Sequence, residues 1–383
     1  MRFIHTADWH LGRSLHGVRL LDEQRAILEQ LVSIVADHRP DALLIAGDIY
    51  DRATPPGDAI DLLDDTLCTI LDMGVPVIVI AGNHDGPQLI NYGSRLFAAR
   101  SLHIFGKVTN FVQRVTLTDA WGPVHFYALP YAEPLAMRQA LGDEAITNHQ
   151  TAVTAWTARV FAEHPHGERA VALAHLFVAG GAGCDSERQL VVGGTAEVDP
   201  NSFAGFDYVA LGHLHHRQTL GDGVTHYSGS PLKYSFSEAE HHKSVNLVDM
   251  DADGSCEIEH IPLHPQHDVR CITGLLADVL TKAVVDPRPH DYLSVRLLDT
   301  GALLDPIARL REVYPNVLET PRVALLTSAG LRRTGTDHRT MSVEALFADF
   351  YEQITGAALS ADALTAFAEV MNDLRQSEQE VEV

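Results

Sequence analysis

The chain has 383 residues, more than one ordinary domain, and this length predicts two or three domains. Hydrophobic residues make up 46% of the sequence, enough for a large core, and no apolar run approaches the ~20 residues that cross a membrane. The formal net charge of -23 argues against binding of nucleic acid through an overall basic surface. Any contact with DNA would need a local basic patch, metal ions or a partner.

The N-terminal segment and the cysteines bear on where the protein works. The segment MRFIHTADWH is a predicted strand and lacks the layout of a signal peptide. The cysteines are scattered without C-x-x-C spacing, which favours reduced thiols over a disulfide framework or a zinc knuckle. These features predict a cytoplasmic protein without a membrane anchor.

The first half of the chain alternates between strands and helices. The strand RFIHTA precedes a helix in DEQRAILEQLVSIVADH, and the strand DALLIAGD precedes a helix in AIDLLDDTLCTILDMG, which Gly74 would end. The strand VPVIVIAGNHD follows. Further strands are predicted at HFYAL, AVALAH, DYVALGH, VTHYSGS and SVNLVDM, with helices around 132–141 and 150–161. This alternation predicts an α/β sandwich with mostly buried strands.

The second half of the chain has a different pattern. VRCITGLLADVLTKAV, DYLSVRLLD, ALLDPIARLREVY and RVALLTS predict a small strand-helix-strand-helix-strand unit. The polar segment SAGLRRTGTDHRT predicts a linker, and two amphipathic helices follow, each opened by a serine that can cap it. We therefore predict a large domain over 1–265, a small α+β capping domain over 266–327, a linker over 328–340 and a helical pair over 341–376.

Five predicted strands are each followed by polar residues of one kind. In an open α/β sheet, functional groups collect at the carboxyl ends of strands, so these five groups should converge. In the two D-x-H and H-x-H pairs, strand-like geometry would turn both members to one side. The residues are Asp8 and His10; Asp48 and Asp51; Asn83, His84 and Asp85; His175; and His213 and His215.

Oxygen and nitrogen donors without sulfur suit a cation such as manganese, iron or zinc. Seven such donors among these ten residues are too many for one ion, so a shared aspartate between two ions is the simplest arrangement. The glycines before Asp48, Asn83 and His213 would let the backbone turn where a side chain would crowd the metals. Taken singly, D-x-H also suits a cap beside a surface residue, and G-N-H-D also suits a turn. Their joint occurrence in this order favours a metal site.

The ordered set D-x-H, G-D-x-x-D, G-N-H-D, a lone histidine after a strand, and G-H-x-H resembles the calcineurin-like metallophosphoesterases. Within that superfamily, FIHTADWHLGR, GDIYDRATPP and SGSPLKYSFSE with the following KSV are similar to nuclease subunits of the SbcC–SbcD type. The similarity covers about residues 1–260 and extends more loosely to the small domain and the helical tail. It implies a two-sheet metallophosphoesterase sandwich flanked by helices, with 1–265 as the nuclease domain.

The resemblance also implies roles for the site residues. His84 would face the substrate, stabilise the charged phosphate and protonate the leaving oxygen, while the Asp51 carboxylate would orient its imidazole and Asp85 would brace the turn. The expected ions are Mn²⁺, with Mg²⁺, Fe²⁺ and Zn²⁺ as alternatives. By motif, one ion takes Asp8, His10 and His215, the other takes Asn83, His175 and His213, and Asp48 bridges them.

The function implied is that of a DNA nuclease subunit, an endonuclease and 3′-to-5′ exonuclease on double-stranded ends and hairpins. It would act in DNA repair, recombination and replication with an SbcC-type coiled-coil ATPase, which the C-terminal helices would bind. A homodimer within a heterotetramer is left open. The alternatives are a small-substrate enzyme such as a cyclic-nucleotide phosphodiesterase and a non-catalytic DNA-end scaffold. Lys233, Tyr234 and Phe236 would either approach the DNA backbone or form a packed turn.

Overall fold

A computed structural model of the chain describes residues 1–187, 197–221, 223–300, 303–321, 342–355 and 358–381. The chain divides into two compact units, Met1–Val269 and Arg270–Val383. Within the described ranges, no helix is both long enough and apolar enough to span a membrane. All four cysteines are free, as their scattered spacing predicted.

The first unit contains two six-stranded sheets. The first sheet has, in spatial order, β14 (Cys256–Pro262), β13 (Ser244–Met250), β1 (Arg2–Thr6), β4 (Ala42–Ala46), β5 (Val77–Ile80) and β6 (Leu102–Phe105). Strands β1, β4, β5 and β6 run parallel, and β13 is antiparallel to both β1 and β14. Because both faces of this sheet are covered, β4 and β5 are buried along their whole length, as their continuous apolar runs predicted.

The second sheet has, in spatial order, β11 (Gln218–Leu220), β12 (Thr225–Tyr227), β10 (Tyr208–Gly212), β9 (Arg169–His175), β8 (Gly122–Leu129) and β7 (Arg114–Asp119). The four central strands are parallel, and β7 and β11 are antiparallel edges. A short hairpin of β2 (Ser14–Leu15) and β3 (Val18–Arg19) follows β1.

The two sheets pack face to face around an apolar core. The ring of Phe3 on the first sheet makes edge contacts with Phe126 at 5.8 Å and Tyr208 at 5.3 Å on the second, between ring centroids. Ile78 and Leu173 belong to the same buried cluster. The core therefore fixes the two sheets against each other, and with them the strand ends that carry the predicted site.

Helices cover the outer faces of the sandwich. Trp156 and Val160 pack with Ala172 and Leu211 of the second sheet. Gly74 ends the second helix in a left-handed conformation with φ +82°, as the sequence predicted. The helices of this unit are α1 (Leu21–His38), α2 (Gly57–Asp72), α3 (Pro87–Ile90), α4 (Ser94–Phe97), α5 (Pro134–Leu141) and α6 (His149–Glu163). The predicted α/β sandwich is confirmed.

The second unit contains a three-stranded sheet of β15 (Val269–Gly274), β16 (Tyr292–Leu297) and β17 (Val317–Glu319), with α7 (Leu276–Ala283) and α8 (Pro306–Arg311). Val279, Val295, Leu310 and Tyr314 form its buried core. The sequence analysis did not predict β17, which pairs in parallel with β16. RVALLTS and the predicted linker 328–340 lie outside the described residues.

Two further helices, α9 (Val343–Thr355) and α10 (Ala361–Val381), follow in this unit. The hydroxyls of Ser342 and Ser360 each accept a bond of 3.2 Å, from the backbone N–H of Ala345 and of Ala363. Both serines are therefore the predicted N-terminal caps. A stack of Phe347 on Phe367, with centroids 4.0 Å apart, joins the two helices.

A buried histidine forms a polar contact between the two sheets. His5 of β1 lies with Nδ1 3.0 Å from the Tyr208 hydroxyl and Nε2 3.2 Å from the Leu211 carbonyl oxygen. A neutral imidazole satisfies both contacts, accepting from the hydroxyl and donating to the carbonyl. Burial, aided by His226, lowers the pKa of His5 to about 3. The folded protein therefore keeps His5 uncharged in a pH range where the unfolded chain protonates it.

We predict that His5 weakens the fold as the pH falls below about 6.5, the ordinary histidine pKa. The unfolded chain then binds a proton that the folded protein refuses, so the free energy of unfolding drops by about 2 kcal/mol between pH 7.5 and pH 5. His5→Gln should lose that part of the pH dependence in urea unfolding at both pH values. His166→Gln, at an exposed position, is the matched control. An unchanged slope in His5→Gln would contradict the prediction.

Candidate dinuclear metal centre

The predicted site residues lie at the carboxyl ends of strands from both sheets. Asp8 and Asp48 follow β1 and β4 of the first sheet, while His175 ends β9 and His213 follows β10 of the second. The backbone N–H of His213 donates to the Asp8 carboxylate at 2.9 Å, which joins the two sheets at this edge. The predicted convergence of the strand ends is therefore observed.

Asp8, His10 and His215 form a first group of donors. One ligand atom from each lies within 4.8 Å of the others, and all three side chains are buried. The Nε2 atoms of His10 and His215 are 3.0 Å apart. Two nitrogens at this separation can both lie about 2.1 Å from one ion. This first group can therefore hold a single cation.

Asn83, His175 and His213 form a second group. The side-chain oxygen of Asn83 lies 2.9 Å from His175 Nε2 and 3.1 Å from His213 Nδ1. His175 Nδ1 donates to the Ala46 carbonyl at 2.9 Å, so its Nε2 faces the group. This anchoring of one ring nitrogen on a backbone carbonyl is typical of metal-binding histidines.

Asp48 lies between the two groups. Its Oδ2 is 3.6 Å from His10 Nε2 in the first group and 3.4 Å from His175 Nε2 in the second. Its other oxygen, Oδ1, accepts from the backbone N–H of His84 at 2.8 Å. The carboxylate is therefore held so that one oxygen faces both groups, the geometry that a bridging ligand needs.

His84 stands at the open side of the site. Its Nε2 is 4.0 Å from Asp48 Oδ2, and its side chain is 14% exposed against 3% for Asp48. Its atoms also form a possible donor group with His10 and Asp48, so metal binding by His84 is geometrically open. The ring packs edge-on against His10 with centroids 4.7 Å apart.

The contact between Asp51 and His84 differs from the predicted one. His84 Nδ1 lies 2.8 Å from the backbone carbonyl oxygen of Asp51, to which it donates. The Asp51 carboxylate instead lies 3.6 Å from both Arg13 and Arg52. The prediction that this carboxylate orients the imidazole is therefore wrong. Asp51 holds His84 through its main chain, because two arginines draw its side chain away.

Asp85 braces the turn, as predicted. Its carboxylate accepts from the backbone N–H groups of Gly82 at 2.8 Å, Tyr50 at 2.9 Å and Ile49 at 3.1 Å. Burial and the neighbouring Asp48 raise its pKa to about 6. These bonds tie the loop after β4 to the loop after β5, so they fix Asp48 and Asn83 relative to each other.

The backbone is strained at four of the predicted ligands. Asp8, His10, Asp48 and His213 have φ of 56°, 45°, 50° and 105°. Residues other than glycine rarely adopt such angles. Each such residue costs roughly 1–3 kcal/mol, and such residues cluster at functional sites. No sequence pattern signalled this strain. It indicates that the sandwich holds these donors in positions that the local chain would not choose.

The three glycines before the ligands are close to other site atoms. A Cβ at Gly82 would lie 2.1 Å from Asp48 Oδ1, and one at Gly212 would lie 2.0 Å from the Ala46 carbonyl oxygen. At Gly47, which has φ +90°, a Cβ would lie 2.5 Å from His175 Nδ1. A side chain at these glycines would therefore collide with predicted ligands or with the strand ends that hold them, while crowding of the metals stays a prediction.

Burial sets the protonation of the site. It lowers the pKa of His10 and of His215, and it lowers the pKa of His213 to about 3. These imidazoles are therefore neutral near pH 7 and offer the lone pairs that a metal needs. Burial also raises the pKa of Asp8. Against its own burial, Asp48 and Asp8 raise the pKa of His175 to about 9, so this imidazole is protonated near pH 7 in the metal-free protein. For Asp48, burial opposes ionisation, but the positive charge of His175 overcomes it and the pKa of Asp48 falls well below its usual range.

The donor set fits two divalent ions. Each group offers carboxylate, amide or imidazole atoms without sulfur, which suits first-row divalent metals. Asn83 Oδ1 and Asp48 Oδ2 both face His175 Nε2, so this position needs either a proton on Nε2 or a cation between the three atoms. A cation resolves such a convergence.

The segment of Lys233, Tyr234 and Phe236 forms a packed turn, the second of its two predicted alternatives. The ammonium of Lys233 pairs with Asp268 at 2.9 Å and donates to the Ala239 carbonyl at 2.7 Å. Tyr234 is buried and donates to the Trp9 carbonyl. Sequence reasoning missed the buried Ser186 and Glu238, which lie behind His215.

We predict that Gly47→Ala harms the site more than Gly74→Ala does. Both positions have left-handed φ, so both variants should lose about 1–2 kcal/mol in the free energy of unfolding. At Gly74 nothing lies within 4 Å of the added Cβ, whereas at Gly47 it meets His175. Gly47→Ala should therefore lose more stability in urea unfolding and also retain less bound metal. Equal effects in the two variants would contradict the steric argument.

Comparison with known proteins agrees with this geometry. The sequence model of the calcineurin-like phosphoesterase family matches residues 1–217, and a model described as the type 5 capsule protein repressor C-terminal domain matches residues 265–355. A solved structure from Thermus thermophilus is 13% identical, covers 68% of this chain and 98% of that chain, and gives a TM-score of 0.40. This TM-score is low, so family membership rests on the sequence matches.

Two curated relatives match almost the whole chain, and both are D subunits of the nuclease SbcCD. The relative from Staphylococcus epidermidis is 32% identical over 94% of this chain and 95% of that protein. The relative from Staphylococcus saprophyticus is 33% identical over 98% of this chain and 98% of that protein. The chain therefore belongs to the calcineurin-like phosphoesterases and, within them, to the family of SbcCD nuclease D subunits.

Proposed function

We propose that the chain is a dinuclear-metal DNA nuclease subunit with endonuclease and 3′-to-5′ exonuclease activity on double-stranded ends and hairpins. The observation that carries this proposal is the position of Asp48, whose Oδ2 lies within 3.6 Å of His10 and 3.4 Å of His175. One carboxylate oxygen thus faces both donor groups. Asp8, His10 and His215 hold one ion, Asn83, His175 and His213 hold the other, and Asp48 bridges them.

The chemistry is hydrolysis of a phosphodiester. Two bound divalent ions, with Mn²⁺ as the proposed metal, supply Lewis-acid polarisation of the phosphate and an activated water. The protein holds the ions in place through buried donors whose backbone is strained and braced by Asp85. Burial excludes bulk water from the donors, so their charges act in a low-dielectric site.

His84 acts on the substrate. Its Nδ1 is held by the Asp51 carbonyl, and its Nε2 faces the donor groups, 4.0 Å from Asp48 Oδ2. When protonated, Nε2–H donates a hydrogen bond to the phosphate and then transfers its proton to the leaving oxygen. Such a group contributes about 10²–10⁴ in rate.

Local positive charge lies beside the site despite the net charge of -23. Arg52 is 83% exposed and lies 3.6 Å from the Asp51 carboxylate, close to His84. Arg13 lies near the same carboxylate. These arginines support an approach of the DNA backbone at this edge, and a partner would supply the rest of the basic surface.

The partner proposed is an SbcC-type coiled-coil ATPase, bound through α9 and α10. Phe347 and Phe367 pack between the helices, but Phe350 and Val370 remain 58% and 57% exposed. Exposed aromatic and aliphatic side chains on paired helices suit docking on a coiled coil. The four domains predicted from the sequence then have separate roles, with the metal site in 1–265 and partner binding in 341–376.

A homodimer within the assembly is proposed through a second apolar surface, in the first unit. Tyr92 and Leu96, in and beside α4, are 80% and 78% exposed. Tyr92 and the neighbouring Phe97 line an apolar cavity of about 540 Å³ together with Leu63 and Leu67 of α2. A contiguous apolar surface of this kind marks an association site, and a second copy of the chain is the occupant proposed. The free cysteines are in keeping with action in the cytoplasm.

The alternatives predict other behaviour. A small-substrate phosphodiesterase would use the same donors but has no need of the second unit, and a non-catalytic scaffold would be expected to lack a ligand, whereas all seven donors are in place. The decisive assay compares cleavage of linear duplex DNA with hydrolysis of bis-p-nitrophenyl phosphate and cyclic nucleotides, in Mn²⁺, with and without the ATPase. Preference for cyclic nucleotides would overturn the nuclease proposal.

We predict that Asp48→Ala removes both ions together, because each group loses its shared ligand. Metal analysis should find neither site filled at ion concentrations that saturate the native protein, and DNA cleavage should be lost. Asp37→Ala, at an exposed position on α1, is the control. Two ions bound with unchanged affinity in Asp48→Ala would refute the bridging role.

We predict that His84→Gln keeps both ions and lowers the rate of diester hydrolysis by about 10²–10⁴, the usual contribution of a general acid. His290→Gln, an exposed histidine, should behave as the native protein. Normal cleavage by His84→Gln would remove this residue from the mechanism. Loss of an ion would instead make His84 a ligand.

We predict that the two exposed apolar surfaces act independently, so each set of variants is a control for the other. Phe350→Asp with Val370→Asp should abolish co-purification with the ATPase and leave the homodimer intact in size measurements. Tyr92→Asp with Leu96→Asp should give a monomer that still binds the ATPase. Both pairs should retain hydrolysis of bis-p-nitrophenyl phosphate. A dimer unaffected by the second pair would rule out that surface.

A further inference from the structure

The loop between β12 and β13 lies behind His215 and carries no predicted ligand. Its residues Ser230, Glu238 and Lys243 are nevertheless buried, and Glu238 has 0% exposure. A buried carboxylate is costly unless it is paired and hydrogen-bonded. The bonds that Glu238 makes therefore indicate its purpose.

Glu238 connects to His215 through Ser186. The Ser186 hydroxyl donates to Glu238 Oε1 at 2.6 Å and lies 2.6 Å from His215 Nδ1. A serine hydroxyl has one hydrogen, and in Ser186 that hydrogen is donated in the bond to the Glu238 carboxylate. The hydroxyl oxygen must then accept from His215 Nδ1–H. This fixes the tautomer in which His215 Nε2 carries its lone pair.

Lys243 completes the arrangement. Its ammonium lies 2.5 Å from Glu238 Oε2 and also donates to the Ser230 hydroxyl and the His215 carbonyl, both at 2.8 Å. The charge of Glu238 is thus balanced inside the protein. The same lysine holds the main chain of His215, so both the backbone and the ring of this residue are fixed from one side.

The orientation that results is the one that the first donor group needs. His215 Nε2 points at His10 Nε2 from 3.0 Å. A second carboxylate, Glu187, accepts from the backbone N–H of His215 at 2.7 Å. A buried ion pair that served only stability would require neither the serine relay nor contacts to both ends of one histidine.

We propose that Ser186, Glu238 and Lys243 are positioning residues for His215, and that they set the affinity of the first metal site selectively. The proposal rests on the metal-binding role of His215 given above. Carboxylates that orient a metal-binding histidine usually change metal affinity by about 10–100-fold when removed. The second group, Asn83, His175 and His213, makes none of these contacts among the described residues, so its affinity should be unaffected.

The test measures Mn²⁺ binding by titration calorimetry and by the electron paramagnetic resonance signal of two neighbouring, spin-coupled Mn²⁺ ions. Ser186→Ala and Glu238→Gln should each weaken one ion by about 10–100-fold, leave the other unchanged and lose the coupled signal at limiting Mn²⁺. Ser33→Ala, exposed on α1, is the control. The melting temperature of metal-free Ser186→Ala should match that control.

Two further variants separate the outcomes. Glu238→Gln with Lys243→Met removes both charges, so a merely structural pair would regain native metal binding, which would overturn the proposal. Native affinity at both sites in Ser186→Ala and Glu238→Gln would also overturn it. His215→Ala should lose one ion. If His215→Ala binds two ions normally, the metal assignment itself fails, whereas failure of the network variants alone leaves that assignment standing.

Discussion

Asp48 is an ionised carboxylate held almost out of contact with water, and the site is organised around keeping it so. An isolated carboxylate in this position would take up a proton. The protonated imidazole of His175 and the backbone N–H of His84 prevent this, and the pKa of Asp48 falls well below its usual range. The proton on His175 Nε2 therefore lies between Asn83 Oδ1 and Asp48 Oδ2, at a position that a bound cation would take instead.

This arrangement demands a rigid support. Four donors have left-handed backbone angles, and three glycines leave no space for a Cβ next to the ligands. The strain is tolerated because the two sheets that carry the donors pack tightly against each other around Phe3, Phe126 and Tyr208. The packing of the core thus holds the donor side chains in fixed positions at the carboxyl ends of the strands. The buried turn of Asp85 transmits that rigidity to the loops after β4 and β5.

The sequence was sufficient to predict those features that depend only on a few neighbouring residues. Each of the five motifs follows an apolar run, so strand ends and donors could be predicted together, and Ser342 and Ser360 could be predicted as caps. Features that depend on distant parts of the chain could not. Ser186 and Glu238 are 52 positions apart, and nothing local marks them as partners. The Asp51 contact was misjudged for the same reason, because Arg13 lies elsewhere in the sequence and draws the carboxylate away from His84. The strand β17 was not predicted because it is too short to show the alternation of apolar and polar residues that indicates a strand.

The pairing of β1 with β13 has a consequence for the newly made protein. Arg2 bonds to Asp249 across 247 positions, and Asp8 meets the His213 backbone across 205. A ribosome adding roughly 5–20 residues per second needs about 10–40 seconds to make the chain between Asp8 and His213. Throughout that interval the growing polypeptide has aspartates and histidines but no site. The donor cluster is therefore assembled late, after most of its domain has been synthesised, and an interrupted translation product that ends before His213 lacks two members of the cluster, His213 and His215.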